Sequence, residues 1–412
     1  MRVFVVNPLT SGHNETYTRS YRNAFLALGA TVITLYPDPA RIGDGLADSP
    51  VIKIPELDWA EIRSPTEYHL TTILRRWSSV KTALNQAGYR PQKDDLFFFV
   101  WLDSYLYRSH GWRSFFGPLD SYLFSLLHRY IFPYSWSGLY ISPKYLRSGP
   151  LPPRIQRSFR PDLLFRSQGC QGVYLLDEGV VDCLRHRNPH IRAWASPDFC
   201  DTSLPDSPGE QVRALTAYAQ GRPVVGLFGQ IDKRKGVLTF LDWADQMAGA
   251  GVYFALCGPL QEASFSASEL LRLRNYELHP RPNVYACFKA ISDESGFNAL
   301  VSASAVIFLT YFNFRHSSNL LAKAAFFQRP VISCEEHCIG ERVRAFHLGA
   351  TVPAHELDRG PALITALLHE TAHPSPQRLD GSRRYVAIHS LTALTHVLKP
   401  LLPASCLQTR GE

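Results

Sequence analysis

Apolar positions along the chain fall into two alternating patterns. Residues 3–6, VFVV, form an unbroken apolar run, as in a strand buried on both faces. The loop NPLTSGHNE follows, and then Tyr17, Tyr21, Phe25 and Leu28 recur at the spacing of one helical face that stops at Gly29. TVITLYP reads again as a strand. Strand, loop, helix, strand is a βαβ unit that opens a parallel sheet. Further strands are predicted at Asp95–Leu102 (DLFFFVWL), Gly138–Ile141 and Gly172–Leu176, with helical stretches between them. The segment from Asp94 to Leu146 is crowded with Phe, Tyr and Trp. A packed core is the commoner use of such rings, and a face resting on a membrane the rarer one.

Between Pro197 and Arg222 the alternation breaks, and PDFCDTSLPDSPGE carries the Pro, Asp and Ser of turns and linkers. It restarts with RPVVGLFGQ, a helix from about Leu238, the strands VYFALCG, NVYACF and AVIFLTY, a helix within FRHSSNLLAKAAFFQRPVIS, and the strand PVIS. The expected organisation is an N-terminal Rossmann-like domain at 1–200, a linker at 201–221 and a C-terminal Rossmann-like domain at 222–380. Residues 381–412 follow, with a helix near Arg384–Leu398 placed to pack back on the first domain. The fold class is α/β: two parallel sheets facing a central cleft, with a ligand expected at the carboxyl ends of the strands.

A chain of 412 residues suits two such domains. Its net charge of +7 suits an anionic partner. The basic residues are spread along the chain and form no tract, so phosphorylated small molecules and anionic membrane surfaces fit as well as nucleic acid, which is not the expected partner. Eight scattered cysteines without a CxxC pair read as reduced thiols. The start MRVFVVNP is a strand and not a secretory signal, and no apolar run approaches the roughly 18 residues of a spanning helix. A cytoplasmic protein is expected, with any membrane contact peripheral.

In LFGQIDKRKG, residues 227–236, a buried strand ends at Gly229, a polar loop follows, and Lys235-Gly236 opens a helix. A glycine lets the backbone approach a ligand, a helix N-terminus offers N–H groups, and an ammonium adds a point charge. Together they make a diphosphate site, to be weighed against a solvated basic turn. Cys334-Glu-Glu-His-Cys338 lacks a fourth ligand and zinc spacing, so metal is not expected there. The Ser-rich segments hold no nucleophile elbow.

LFGQIDKRKGVLTFLDWA resembles the strand, loop and helix that open the second domain of group 1 glycosyltransferases, retaining sugar-nucleotide enzymes of the GT-B fold. The family pattern is Gly-Arg, four residues, then Lys-Gly, with Arg and Lys on the donor diphosphate. Lys235 matches the lysine, and Gln230 stands at the arginine. VYFALCGPL is similar to the next strand and its turn at Gly258. The stretch from Phe314 to Ser333 is similar to the family's donor motif, Glu-Gly-Phe-Gly, four apolar residues, Glu-Ala, then Gly-x-Pro-Val. Counting back from Arg329-Pro330-Val331 puts Lys323 at the second glutamate, which holds the ribose, and Arg315 at the first, which contacts the sugar. His316, Ser317, Ser318 and Asn319 resemble the loop and first helical turn that present N–H groups and hydroxyls to the diphosphate, with Ser or Asn also capping the helix. In the first domain TSGHNE resembles the family's glycine loop, with Gly12 near phosphate or acceptor. Asp103 closes a strand where the family often places a catalytic histidine, and a strand-end cap is its other reading.

The resemblance implies transfer of a sugar from a nucleotide-sugar donor to a glycan or lipid-linked acceptor with retention, in polysaccharide or glycoconjugate synthesis. It calls for no cofactor and no metal. Because Gln230, Arg315 and Lys323 depart from the pattern, a non-catalytic relative that binds a glycan, a nucleotide or a partner protein is the second reading.

Overall fold

The apolar run at the start of the chain is a strand, β1 (Arg2–Val6), fully enclosed from Val3 to Val6. After it come α1 (Asn14–Ala27), β2 (Thr31–Tyr36), α2 (Pro39–Ile42), β3 (Val51–Lys53), α3 (Leu70–Gln86), β4 (Leu96–Phe99), α4 (Gly117–Ile131), β5 (Ser135–Leu139), α5 (Asp162–Phe165), β6 (Cys170–Leu175), α6 (Glu178–Arg187) and β7 (Ala193–Ala195). The computed structural model describes residues 1–10, 14–43, 49–57, 70–107, 117–141, 143, 146, 162–279, 281–291 and 293–404. Two compact units divide the chain, Met1–Pro197 with Leu391–Glu412, and Asp198–Ser390.

In the first unit the strands order as β3-β2-β1-β4-β5-β6-β7 with every pairing parallel. The aromatic-rich stretch supplies its core among the described residues. Trp77 of α3 sits 4.6 Å from Phe99, 5.4 Å from Trp136 and 4.9 Å from Phe132, ring centre to ring centre. DLFFFVWL is strand only to Phe99, and Leu102–Tyr105 turns as a 3₁₀ helix with Leu102 and Tyr105 still buried. A continuous apolar run reports burial and not extension, so its length overestimates the strand. The edge strands β3 and β7 carry no such run; β7 is held by Trp194, which stacks on Tyr174 at 5.1 Å.

The second unit contains α7 (Glu210–Ala219), β8 (Val224–Phe228), α8 (Val237–Gln246), β9 (Tyr253–Cys257), α9 (Ala267–Leu278), β10 (Val284–Cys287), α10 (Glu294–Ala303), β11 (Val306–Leu309), α11 (Asn319–Phe326), β12 (Val331–Cys334), α12 (His337–Ala345), β13 (Gly349–Val352), α13 (Gly360–Ala372) and α14 (Pro376–Ile388). Its strands order as β10-β9-β8-β11-β12-β13, again all parallel. The order reverses between β8 and β11, so their carboxyl ends lie side by side and lead out to Gly229 and Thr310. Such a switch point is where open α/β sheets bind ligands.

Residues 201–221, expected as linker, hold α7, which buries Val212, Leu215 and Ala219 in the second unit's core. The turn-forming composition ends at Gly209, and the apolar spacing beyond it is helical. The single helix expected near Arg384–Leu398 is two, α14 and then α15 (Leu391–Leu398). α15 belongs to the first unit, where it packs on α1 and Tyr174 Oη donates to Val397 O at 3.1 Å. Among the described residues no helix is long and apolar enough to cross a membrane.

Local signals hold the second unit's helices as expected from capping chemistry. Ser266 and Glu269 form a reciprocal capping box at the start of α9, with Ser266 N donating to Glu269 Oε2 at 2.8 Å. Ser266→Ala should cost about 1 kcal/mol of the second unit's stability, read as a lower urea midpoint at unchanged slope; an unchanged midpoint would deny the cap its weight.

Candidate functional site

The site grows from the loop after β8. Gly229 leaves the strand with φ +86°, and its N–H donates to Cys257 O at 3.0 Å. Gly258, beyond β9, has φ +140°, and a Cβ there would lie 2.1 Å from Gly229 O. Two bare backbones are therefore pressed together, which no side chain would permit. Gln230 is exposed, and Asp232 caps the 3₁₀ turn Lys233–Lys235 by accepting from Arg234 N at 2.9 Å. Gly236, φ +69°, closes the turn against Thr310 O and begins α8.

This folding turns the Lys235 side chain back toward the strand end. Its Nζ donates to Phe228 O at 3.1 Å, lies 5.6 Å from the Tyr311 ring centre, and would be 3.2 Å from a Cβ on Gly229. Burial pulls the ammonium down from 10.5 to about 8, with Asp232 opposing the shift and Arg234 adding to it. Arg234 pairs with Asp232 at 2.8 Å and lies 5.6 Å from the Phe314 ring centre, with most of its guanidinium side open to water. A half-buried ammonium of lowered basicity and an exposed guanidinium thus share one turn.

The second wall is the 310–318 loop and α11. Phe312 N donates to Arg234 O at 2.7 Å, which ties this loop to the first. Arg315, His316, Ser317, Ser318 and Asn319 are all half-buried. Ser318 occupies the N-cap position of α11, yet its hydroxyl makes no capping bond and pairs with the buried Tyr311 phenol. Capping alone thus does not explain the polar run. Ser317 Oγ instead donates to Asp198 Oδ2 and accepts from Arg342 Nη1, and Asp198 N donates to His389 Nδ1 at 2.9 Å. Burial, with Arg342 adding, pushes His389 down to about 2, so this ring stays neutral and anchors the loop from behind.

Lys323 is fully enclosed in the second turn of α11. Its Nζ meets Glu294 Oε1 and Asp201 O, each at 2.7 Å, together with Asn298 Oδ1, and lies 5.5 Å from the Phe297 ring centre. Glu294, Asn298, Phe297, Tyr311 and Arg234 were not singled out from the sequence. A lysine inside an otherwise apolar helix signals a buried acceptor somewhere, but nothing in the chain says which carboxylate supplies it.

Lys235, Gly229, Gln230, Gly258, the 315–319 run and Lys323 therefore all lie in the second unit around the β8–β11 switch. Asp103 lies in the first unit, just beyond β4, where its Oδ2 accepts from Ile141 N at 2.8 Å and joins two strand ends. Gly12 lies outside the described residues.

Neither a family model nor a curated protein matches the chain. Solved structures do. Sucrose-phosphate synthase from Thermosynechococcus elongatus matches with a TM-score of 0.65 at 15% identity, over 97% of this chain and 98% of that chain. HepE from Anabaena, in complex with UDP and glucose, matches with a TM-score of 0.63 at 11% identity, over 97% and 99% of the two chains. An α,α-trehalose-phosphate synthase (UDP-forming) from Burkholderia vietnamiensis gives 0.62 at 13% identity, over 97% and 96%. The chain has the GT-B fold.

Proposed function

We propose that the protein is a glycosyltransferase that takes a sugar from a nucleotide-sugar donor, with the donor diphosphate held by Lys235 at the β8–β11 switch of the second unit. The observation that carries this reading is the Lys235 ammonium turned back over Gly229, where no Cβ intervenes. The exposed Arg234 guanidinium on the same turn offers the second positive charge that Gln230 cannot. Arg315 and the N–H groups opening α11 extend the anion-binding wall. HepE, of the same fold, is described with UDP and with UDP-glucose bound.

In this reading transfer proceeds with retention. The bond from the anomeric carbon to the diphosphate oxygen breaks, the acceptor hydroxyl oxygen bonds to that carbon from the same face, and its proton passes to the departing phosphate. Lys235 and Arg234 stabilise the charge on the leaving diphosphate, where electrostatic preorganisation counts most. The test is release of nucleoside diphosphate from UDP-, ADP- and GDP-sugars by purified protein. Turnover of one donor upholds transfer; binding of a nucleotide with no turnover of any donor leaves a non-catalytic relative.

The acceptor side is proposed to work at an anionic membrane surface. On α4 Leu123, Leu126 and Tyr130 are 43%, 53% and 88% exposed, with the exposed Arg129 beside them. The charge of the chain is also less even than its scattered lysines and arginines suggest. Between residues 104 and 161 eight Lys and Arg face the single Asp120, which accounts for the whole net +7. Wild-type protein should co-sediment with vesicles containing phosphatidylglycerol, less so at high salt, and the pair Leu126→Ala and Tyr130→Ala should weaken partition about tenfold. Equal behaviour on neutral vesicles, or no effect of the pair, would remove the membrane from the account.

A further inference from the structure

Two cysteines far apart in the chain meet at one end of the second sheet. Cys257 closes β9, Cys287 closes β10, and the two are register partners in a parallel pairing. Neighbouring strands run about 4.8 Å apart, and register partners point to the same face of the sheet. Both thiols are free, Cys257 fully enclosed and Cys287 half-buried against the same core. A disulfide takes Cα atoms roughly 4.4–6.8 Å apart, so the pair stands within bridging reach while both strands keep their places. The other described strand cysteines, Cys170 and Cys334, face Trp136 and Val352 in register and have no such neighbour there.

Cys287 is the end that a small reagent reaches. Its sulfur accepts from Gln211 Nε2 of α7 at 3.7 Å. Burial, with Cys287 adding, holds the Cys257 thiol well above its usual range. Cys257 therefore stays protonated and does not begin an oxidation, but it lies at hand to finish one started on its neighbour.

Position gives the pair its consequence. Gly258 follows Cys257 directly, donates its N–H to Cys287 O at 3.0 Å, and is pressed against Gly229. A bridge would draw the two Cβ atoms to about 3.8 Å, closer than the strands themselves stand. It would thus shift the strand ends on which the contact between the two glycines rests.

We propose that Cys257 and Cys287 are a thiol pair that a peroxide converts to a disulfide, and that this bridge weakens nucleotide binding at the adjacent Gly229–Lys235 turn. Cys287 Sγ attacks one oxygen of hydrogen peroxide, the O–O bond breaks, and a sulfenic acid and one water result. Cys257 Sγ then displaces the sulfenic oxygen, which takes the Cys257 proton and leaves as a second water. Two thiols lose two electrons, and the peroxide gains them. A dithiol reductant reverses the bridge. The covalent step stands apart from the donor-site reading, whereas its effect on nucleotide rests on that reading.

The test treats purified protein with hydrogen peroxide and follows mass and nucleotide binding together. The protein should lose the mass of two hydrogens and, digested without reductant, yield a cross-linked peptide pair containing Cys257 and Cys287. Affinity for the nucleoside diphosphate that binds best among UDP, ADP and GDP should fall about tenfold and return with dithiothreitol. Cys287→Ser should bind nucleotide as wild type does and keep that affinity in peroxide; Cys287→Ala replaces it if the serine variant folds poorly. Oxidation that stops at a sulfenic or sulfinic acid on Cys287, with no cross-link, would overturn the proposal. A cross-link that leaves nucleotide affinity unchanged would overturn its tie to the binding turn. Failure of the reduced wild type to bind any nucleotide would instead overturn the donor-site reading, with the bridge still decided by mass alone.

Discussion

Lys235→Ala should weaken nucleoside diphosphate binding roughly a hundredfold, about 3 kcal/mol at the upper end for a charge-assisted contact made in a half-buried site. The side chain has little other work. Its hydrogen bond to Phe228 O lies at a strand end, and the turn around it is held by Asp232 and Gly236. The variant should therefore fold normally and fail in binding. Turnover should fall further than affinity, because charge on the diphosphate grows as the glycosidic bond breaks. Equal titration curves for the two proteins would mean that the diphosphate, if it binds, binds elsewhere.

The same ammonium gives the binding a pH dependence. Burial lowers Lys235 from 10.5 to about 8, and only the protonated form attracts phosphate. Affinity should be full below about pH 8 and fall as pH rises through that value. Since a bound diphosphate favours the ammonium, the loss should shift upward at saturating ligand, toward the ordinary lysine range. Lys235→Arg, which does not deprotonate in this window, should bind with a flat profile even where its absolute affinity is lower.

Gly258→Ala should be among the most damaging single methyls in the second unit. The new Cβ would lie 2.1 Å from Gly229 O, 2.7 Å from its carbonyl carbon and 3.1 Å from its Cα, all backbone atoms with no rotamer to yield. At φ +140° the alanine would also be strained before any contact is counted. Backbone strain and overpacking, each about 1–3 kcal/mol, together reach about 4 kcal/mol. For a unit of this size that lowers the midpoint of thermal unfolding by roughly 10 °C. Relief by moving Gly229 would displace the loop that carries Lys235, so any protein that survives should bind nucleotide poorly. An unchanged unfolding midpoint would show that the two turns are not packed as described.

Much of this was legible in the chain. Continuous apolar runs such as VVGLF and VIFL mark strands covered on both faces, and their alternation with helical spacing gives two parallel sheets. The placement of Gly229 after a buried strand and of Lys235 before a helix was legible because each residue type has a local reason to be there. What the sequence hid is what depends on contacts between distant residues. Lys323 looked like a cation added to the pocket, and it is in fact enclosed by groups 25 and 122 positions away. Ser317 looked like a phosphate ligand, and its hydroxyl joins Asp198 to Arg342. α7 was hidden by the Pro and Ser that precede it, since turn-forming residues colour a whole window of sequence. β3, β7 and β13 are short and bordered by sheet edges, where no apolar run is needed.

The central claim is that a nucleoside diphosphate sits at the β8–β11 switch of the second unit. Hydrogen exchange of the wild-type protein with and without saturating UDP, ADP or GDP tests it most directly, because exchange reports which backbone segments a ligand protects. One nucleotide should slow exchange in peptides spanning 229–236, 294–298 and 315–323, and this protection should vanish in Lys235→Ala. Protection confined to other segments, or none with any nucleotide, would contradict the account.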